Sequence, residues 1–258
     1  MDNRFSMLDA RAQTSADEEY ATRMQEFFNA GEGDTIAKLK NFAKFVPRQT
    51  MAAFLAKNEI FKQIVDVHGH VVECGVFMGG GLMTWAQLSA IYEPYNHTRR
   101  ILGFDTFAGF PSIAEEDATT ADDASLSFAK VGGLAVQGIE EDIRHAVSLY
   151  DLNRPLGHIE RVELVKGDAQ HTIPAYLEDN QHTVVALLYL DFDLFEPTLA
   201  AIQTFLPRMP KGAVLAFDEL NQKYWPGETV AVLEAAGIRN LRIRRFPFTP
   251  QISYAVLD

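Results

Sequence analysis

The sequence predicts an α/β fold built on a mostly parallel sheet, and three observations carry that expectation. Residues 184–191, VVALLYLD, form an unbroken apolar run that ends in an acid, as a parallel strand buried on both faces does. From His70 onward, strand-like and helix-like stretches alternate, the pattern of successive βα units. The last two strand-like runs, 240–246 and 251–257, are separated only by Pro247, Phe248, Thr249 and Pro250. So short a link cannot make a parallel crossover, so these two strands are expected to pair antiparallel.

Residues 1–20 are polar. From 19 to 62, Phe27, Phe28, Ile36, Leu39, Phe42, Phe45, Phe54, Ile60 and Phe61 recur at three- and four-residue steps, which predicts helix. The Gly31–Thr35 stretch and Pro47 divide this region into three helices. It is expected to be an appendage over 1–65, before a main domain over 66–258. In that domain strands are expected at 70–76, 100–105, 162–166, 184–191 and 213–218. The intervening helices are expected at 79–91, 138–150, 169–178, 196–206 and 228–236. The segment 106–137 is long, weakly periodic and rich in Gly, Ala, Ser and Asp. A loop of that length inside a compact domain suggests a lid.

With 258 residues, 47% of them hydrophobic, the chain can bury a sizeable core in one large domain. No apolar run is long enough to span a bilayer, and the amino terminus lacks the apolar core of a signal peptide. The lone Cys74 excludes an internal disulfide framework and fits a reducing, cytoplasmic setting. A formal net charge of −12 argues against nucleic acid or an anionic membrane as the main partner, since both need a basic surface.

Four features fall at the carboxyl ends of the expected strands, where open α/β sheets bind ligands. The first is VVECGVFMGGG, residues 71–81. Its glycines permit close backbone approach, and the following helix offers free N–H groups. It is not a G-x-G-x-x-G fingerprint, because Glu73 stands where the first glycine would be. The second is Asp105, placed to accept the hydroxyls of a ribose. The third is Asp168, able to accept from an adenine amino group or to cap the next helix. The fourth is acidic: Asp191 and Asp193 after one strand, Asp218 and Glu219 after the next. Neighbouring strand ends lie roughly 5 Å apart, so Asp191, Asp218 and Glu219 are expected to converge. Carboxylates that close repel unless protons or a cation sit among them, and an all-oxygen set favours Mg²⁺, Mn²⁺ or Ca²⁺. Each acid taken singly also reads as a cap or an ion-pair partner.

Five segments taken together, VVECGVFMGGG (71–81), GFDTFAGFP (103–111), VKGDA (165–169), LLYLDFDLFEPT (187–198) and AVLAFDELNQKYWPGET (213–229), bring a family into view. The chain resembles the macrocin (TylF)-type sugar O-methyltransferases, which use S-adenosylmethionine, over about residues 65–258. The FDTFAGFP and FDEL segments are similar to the branch acting on nucleotide-linked 6-deoxyhexoses. The resemblance implies a class I methyltransferase (Rossmann-like) fold with a seven-stranded sheet. It implies an enzyme of antibiotic biosynthesis that moves a methyl group to a deoxysugar hydroxyl. It further implies that Glu73, Gly75, Gly79, Gly80, Asp105, Phe107, Asp168, Ala169 and Asp191 surround the cofactor. Asp191, Asp218 and Glu219 would then hold a divalent metal, Mg²⁺ in this family. Many relatives carry Asp-Asp where this chain has Asp218-Glu219, which puts the share of Glu219 in ligation in doubt.

Methyl transfer from a sulfonium to a sugar hydroxyl needs an oriented oxygen and a base. Asp191 is the first choice for that base and Asp193 the second. Asp193 faces the same side as Asp191 if the extended conformation persists for two residues. Tyr224 and Trp225 can offer flat faces to a deoxysugar or pack as core. If the acceptor carries a diphosphate, Arg99, Arg100, Lys130 and Arg144 are candidate cations. The pair His68 and His70 lies before the first strand, at the wrong end for the site, and Cys74 reads as a buried small residue. The partners expected are a small-molecule sugar and further copies of the chain in a homo-oligomer. Rival readings are a catechol-type O-methyltransferase, a nicotinamide-dependent oxidoreductase and a non-catalytic binding protein.

Overall fold

The computed structural model describes residues 14–117 and 129–258. The chain divides into two compact units, 1–55 and 56–258.

In the first unit, α1 (Ser15–Ala30) and α2 (Thr35–Lys40) precede α3 (Arg48–Ile64), whose first half belongs here. The three helices fall where the apolar spacing and the Gly31 and Pro47 breaks place them. The Asp34 side chain accepts from the Ala37 N–H at 2.8 Å, satisfying one of the free donors at the start of α2. Phe27 stacks on Phe45 with centroids 5.4 Å apart, and Phe28 meets the same ring edge-on.

The second unit is a seven-stranded sheet in the order β3-β2-β1-β4-β5-β7-β6. Its strands are β1 (His70–Cys74), β2 (Ile101–Asp105), β3 (Val162–Lys166), β4 (Val185–Leu190), β5 (Val214–Phe217), β6 (Arg244–Phe246) and β7 (Thr249–Val256). The first five run parallel, and β7 lies antiparallel between β5 and β6. This is the expected mostly parallel sheet with a terminal hairpin. The helices are α4 (Gly80–Tyr92), α5 (Ile139–Leu152), α6 (Ala169–Asp179), α7 (Phe195–Phe205) and α8 (Pro226–Ala235).

Alternation along the strands sorts the side chains between two faces. Val72, Cys74, Leu102, Phe104, Leu188, Leu190, Leu215 and Phe217 enter one apolar core with residues of α6, α7 and α8. At roughly 25 cal/mol per Å² of apolar area, this core supplies the main driving force for the unit. Cys74 is one of its fully buried members, the packing role expected of it. The alternate positions, Glu73, Tyr189 and Ala216 among them, face the other way. The register pairs Glu73 with Tyr189 and Tyr189 with Ala216, so the polar side chains of that face converge toward the carboxyl ends.

Two boundaries differ from expectation for local reasons. β1 stops at Cys74 rather than 76 because Gly75 turns to φ 95°. The N–H groups of Val76 and Phe77 then donate to Asp105. β6 is shorter than 240–246 because Gly237, at φ 71°, starts a helical turn at Ile238–Asn240. The Asn240 amide donates back to the Ala236 carbonyl.

Among the described residues, no helix is long and apolar enough to cross a membrane.

Candidate active site

The strand order reverses at β1 and β4, which neighbour each other while their connections leave in opposite directions. Such a switch point leaves a crevice at the carboxyl ends. A cleft of about 660 Å³ opens there, lined by Gly75 after β1, Asp105 and Phe107 after β2, Gly167 and Ala169 after β3, and Asp191–Leu194 after β4. Strand pairing runs one residue past the strand ends: Asp191 N donates to the Cys74 carbonyl at 2.8 Å, and Asp218 N to that of Leu190 at 3.0 Å. That continuation holds the acids in register at the rim.

The loops here are backbone-strained. Phe77, Phe107, Asp193 and Asn221 are non-glycine residues at φ between 47° and 70°, and they follow β1, β2, β4 and β5. Left-handed non-glycine residues cost on the order of 1 kcal/mol or more and concentrate at functional sites. At Gly75 the conformation and the space both require glycine, since a Cβ there would lie 1.9 Å from the Asp191 carbonyl oxygen.

Asp105 organises one side of the cleft. One of its oxygens accepts from Val76 N at 2.7 Å and Phe77 N at 2.9 Å, and the other from Phe107 N at 2.7 Å. It is thus a loop-holding carboxylate that still lines the cleft. Asp168 caps α6 by accepting from Gln170 N at 3.0 Å, while its neighbours Gly167 and Ala169 line the wall. Glu73, Gly79 and Gly80 are not part of the lining: Glu73 is buried with its Oε1 where a Gly81 side chain would project, and Gly80 is exposed.

Beneath the cleft lies a buried polar group that the sequence reading did not single out. Lys57, only 7% exposed, projects from α3. Its ammonium is 3.9 Å from Glu73 Oε1 and 3.7 Å from the centre of the Tyr189 ring. The Tyr189 hydroxyl donates to Asp218 Oδ1 at 2.5 Å. The available signal was helical spacing: Lys57 falls on the same stripe as Ile60, Phe61 and Ile64, where a charge should be paired.

The electrostatics of the carboxylates are those of a crowded anionic site. Burial pushes the Glu73 carboxyl up to about 8, with Lys57 pulling the other way. Burial, then the neighbouring Asp218, holds Asp191 well above the usual carboxylate range. Asp193 rises to about 7 through burial, partly offset by a hydrogen bond with Glu219. Glu219 is raised by burial and by Asp193, Asp218 and Asp191. Glu228, fully buried at the start of α8, accepts from Glu219 N at 3.2 Å. Glu219 Oε2 and Glu228 Oε2 are buried without a hydrogen-bond partner.

The other sequence candidates take definite places. The chain leaves the extended conformation at Asp193, whose φ is 64°, so alternation does not set its direction, although it lines the cleft. It does not cap α7 either. The helix starts after Leu194, and the Phe195 N–H donates to Asp117 Oδ1 at 2.7 Å. Asp117 comes from the 106–137 segment, of which 118–128 lies outside the described residues. The described parts close on themselves, with Phe110 and Gly132–Gly133 exchanging backbone hydrogen bonds. Phe110, Pro111, Gly133, Leu134 and Val136 then form part of the cleft wall. Trp225, 5% exposed, packs edge-on against Phe110 with Leu194 behind the wall, and Tyr224 lies partly against the same cluster.

Arg99 and Arg100 sit at the opposite end of the sheet. Arg99 donates to the Ile64, Val67 and Gly69 carbonyls and pairs with Glu93, and Arg100 pairs with Glu160 and Glu163. A second cavity there has His68, His70 and His182 in its wall. Among the described residues, no three His, Cys, Asp or Glu side chains are arranged as a ready metal-ligand set at either end.

Comparison with known proteins agrees with this architecture. Residues 42–234 match the family model for macrocin-O-methyltransferase (TylF). The chain belongs to the macrocin O-methyltransferase family. Within solved structures it is similar to CalS11, a calicheamicin methyltransferase, at 34% identity over 97% of both chains with a TM-score of 0.90. An apo structure of CalS11, described as a TDP-rhamnose 3'-O-methyltransferase of calicheamicin biosynthesis, aligns at 31% identity and a TM-score of 0.82. That alignment covers 96% of this chain and 98% of that one. Demethyldecarbamoylnovobiocin O-methyltransferase of Streptomyces niveus is 27% identical over 154 residues, 60% of this chain and 53% of that protein. The chain therefore matches about half the length of this curated relative.

The cleft suits the family's cofactor on its own chemistry. Its lining combines aromatic and apolar side chains with Asp105, Asp191 and Asp193, and among the described residues holds no Lys, Arg or His. Such a site favours a cationic sulfonium and disfavours the pyrophosphate of a nicotinamide dinucleotide. Asp218 raises the proton affinity of Asp191 and Glu219, as neighbouring like charges do, but the expected convergence of Asp191, Asp218 and Glu219 as a ready metal-ligand set is not found among the described residues.

Proposed function

We propose that this protein transfers a methyl group from S-adenosylmethionine to a hydroxyl of a deoxysugar in natural-product biosynthesis, and that the sugar is nucleotide-linked. The observation that carries the reading is the acid-lined cleft at the β1–β4 switch point of a macrocin-family sheet, with no basic side chain in its wall among the described residues. The likeness to a TDP-rhamnose 3'-O-methyltransferase supports the acceptor class.

When bound, S-adenosylmethionine supplies a methyl carbon on a sulfonium sulfur, from which the sugar oxygen displaces a neutral thioether in line. Gly75, Asp105, Phe107 and Ala169 frame the cofactor, with Glu73, Gly79, Gly80 and Asp168 close to them in sequence. Asp191, at the junction of the two halves of the cleft, takes the hydroxyl proton, and Asp193 is its alternate. A carboxylate whose proton affinity burial has raised is suited to that task. Asp191, Asp218 and Glu219 would hold a divalent cation, which supplies Lewis acidity toward sugar oxygens. Tyr189 fixes the Asp218 carboxylate through its hydroxyl. The wall built by Phe110, Leu134 and Leu194 excludes water from the reacting atoms.

The test is transfer of isotopically labelled methyl from S-adenosylmethionine to TDP-rhamnose, with and without Mg²⁺, beside catechol as acceptor. Labelled sugar and S-adenosylhomocysteine are expected in equal amounts. Labelled catechol with no sugar product would overturn the acceptor, and failure to bind S-adenosylhomocysteine would overturn the reading as a whole.

A further inference from the structure

We infer that Lys130 and Lys223 form a clamp for the diphosphate of a nucleotide-linked acceptor, at the rim of the cleft. This rests on the methyl-transfer reading above and assigns it a phosphate subsite.

A diphosphate cannot sit deep in this cleft, because the lining presents three carboxylates and, among the described residues, no basic side chain. The anion must stay at the rim, and a chain of net charge −12 needs local cations to hold it. Within the 56–258 unit few are available at that end of the sheet. Lys57 is buried beneath the cleft. Arg144 and Lys166 are both paired with Glu140. Arg99 and Arg100 are at the other end, already paired. Arg242, Arg244 and Arg245 belong to the hairpin at the sheet edge, where β7 separates β6 from β5.

Two lysines meet the requirement. Lys130 is the sole Lys or Arg between 106 and 137, the undescribed stretch 118–128 included, and Lys223 is the sole one between 212 and 238. Both are exposed. Neither has an ion-pair partner among the described residues. Each adjoins a residue that packs on one apolar cluster. Ala129, next to Lys130, and Tyr224, next to Lys223, both pack against the cluster formed by Phe110, Leu194 and Trp225, of which Phe110 and Leu194 also line the cleft. Both lysines therefore stand one residue from side chains that pack on the cluster forming part of the cleft wall. A solvated lysine pair binds phosphate as point charges, with affinity that falls as salt rises.

The experiment titrates TDP into the full-length protein saturated with S-adenosylhomocysteine, comparing wild type with K130Q/K223Q and K130R/K223R. The glutamine pair is expected to weaken TDP on the order of tenfold, the scale of two exposed charge contacts. The arginine pair restores it, and S-adenosylhomocysteine affinity stays the same in all three. With TDP-rhamnose the loss appears in KM rather than kcat. TDP affinity equal in wild type and K130Q/K223Q would overturn the clamp, as would a wild type that binds no TDP and methylates a simple methyl rhamnoside as well as TDP-rhamnose. In that last case methyl transfer stands and only the clamp fails. Absence of S-adenosylhomocysteine binding removes the parent reading instead.

Discussion

The two ends of the central sheet handle buried charge in opposite ways. At the amino end, Arg99 is buried and charge-paired: its two terminal nitrogens donate to three backbone carbonyls and its Nε lies 2.7 Å from the Glu93 carboxylate, although that Nε makes no aligned hydrogen bond. His70 accepts from the Arg100 N–H through Nδ1, and burial, with Arg100 adding to it, lowers it to about 4. It therefore stays neutral. At the carboxyl end, Asp191, Asp193, Glu219 and Glu228 crowd together with raised proton affinities and two buried oxygens lacking partners. Satisfied polar groups hold a fold together, whereas an unsatisfied cluster opposes folding and is retained where a ligand completes it.

The largest expected effect separates activity from stability. Asp191→Asn should reduce methyl transfer by on the order of 10²–10⁴-fold, the usual contribution of a positioned base. Its melting temperature should hold or rise, because a repelled carboxylate is removed. Loss of stability at unchanged kcat would erase the contrast between the two ends. Arg99→Ala is the converse. It removes the counter-ion of Glu93 and one donor to each of three carbonyls, and should cost about 3–5 kcal/mol in denaturant unfolding, while any folded fraction keeps its KM for S-adenosylmethionine.

Next comes pH, where the two ends should oppose each other. His70 binds its proton less readily folded than unfolded, so its contribution is present above about 6.5 and is lost as pH falls toward 4. The loss is on the order of 3 kcal/mol, and His70→Gln should flatten that limb. Glu73 and Asp193 bind protons more readily folded than unfolded. Their contribution is therefore present below the ordinary carboxylate range and is lost as pH rises through about 7 to 8. Melting curves in a chelator should show both limbs, and Mg²⁺ should raise the melting temperature more at pH 8 than at pH 5. A cation response independent of pH would argue that the acids do not hold it.

The smallest effect concerns the wall. Asp117→Ala removes the acceptor for the Phe195 N–H and should lower stability by about 1 kcal/mol. It should also raise KM for the sugar while S-adenosylhomocysteine binding is unchanged. Equal weakening of both ligands would show that the wall serves the cofactor too.

Much of this molecule is set by short-range pattern. The apolar run ending at Asp191, the alternation from His70 onward and the four-residue link between the last two strands specify a parallel sheet with an antiparallel end. That is because strand burial and crossover length are local constraints. The same pattern places Gly75, Asp105, Ala169, Asp191 and Asp193 at strand ends, and all five line the cleft. Other features arise only when distant segments meet. Lys57 reaches Glu73 and Tyr189 across helix–sheet packing. Asp117 caps a helix 78 residues later in the chain, and Asp193 turns left-handed after β4. Trp225, open to two readings in sequence, becomes core because Phe110 and Leu194 fold over it. Side-chain periodicity states which face a residue occupies. Which charge is paired and which is left for a ligand depends on partners that only the folded chain brings within reach.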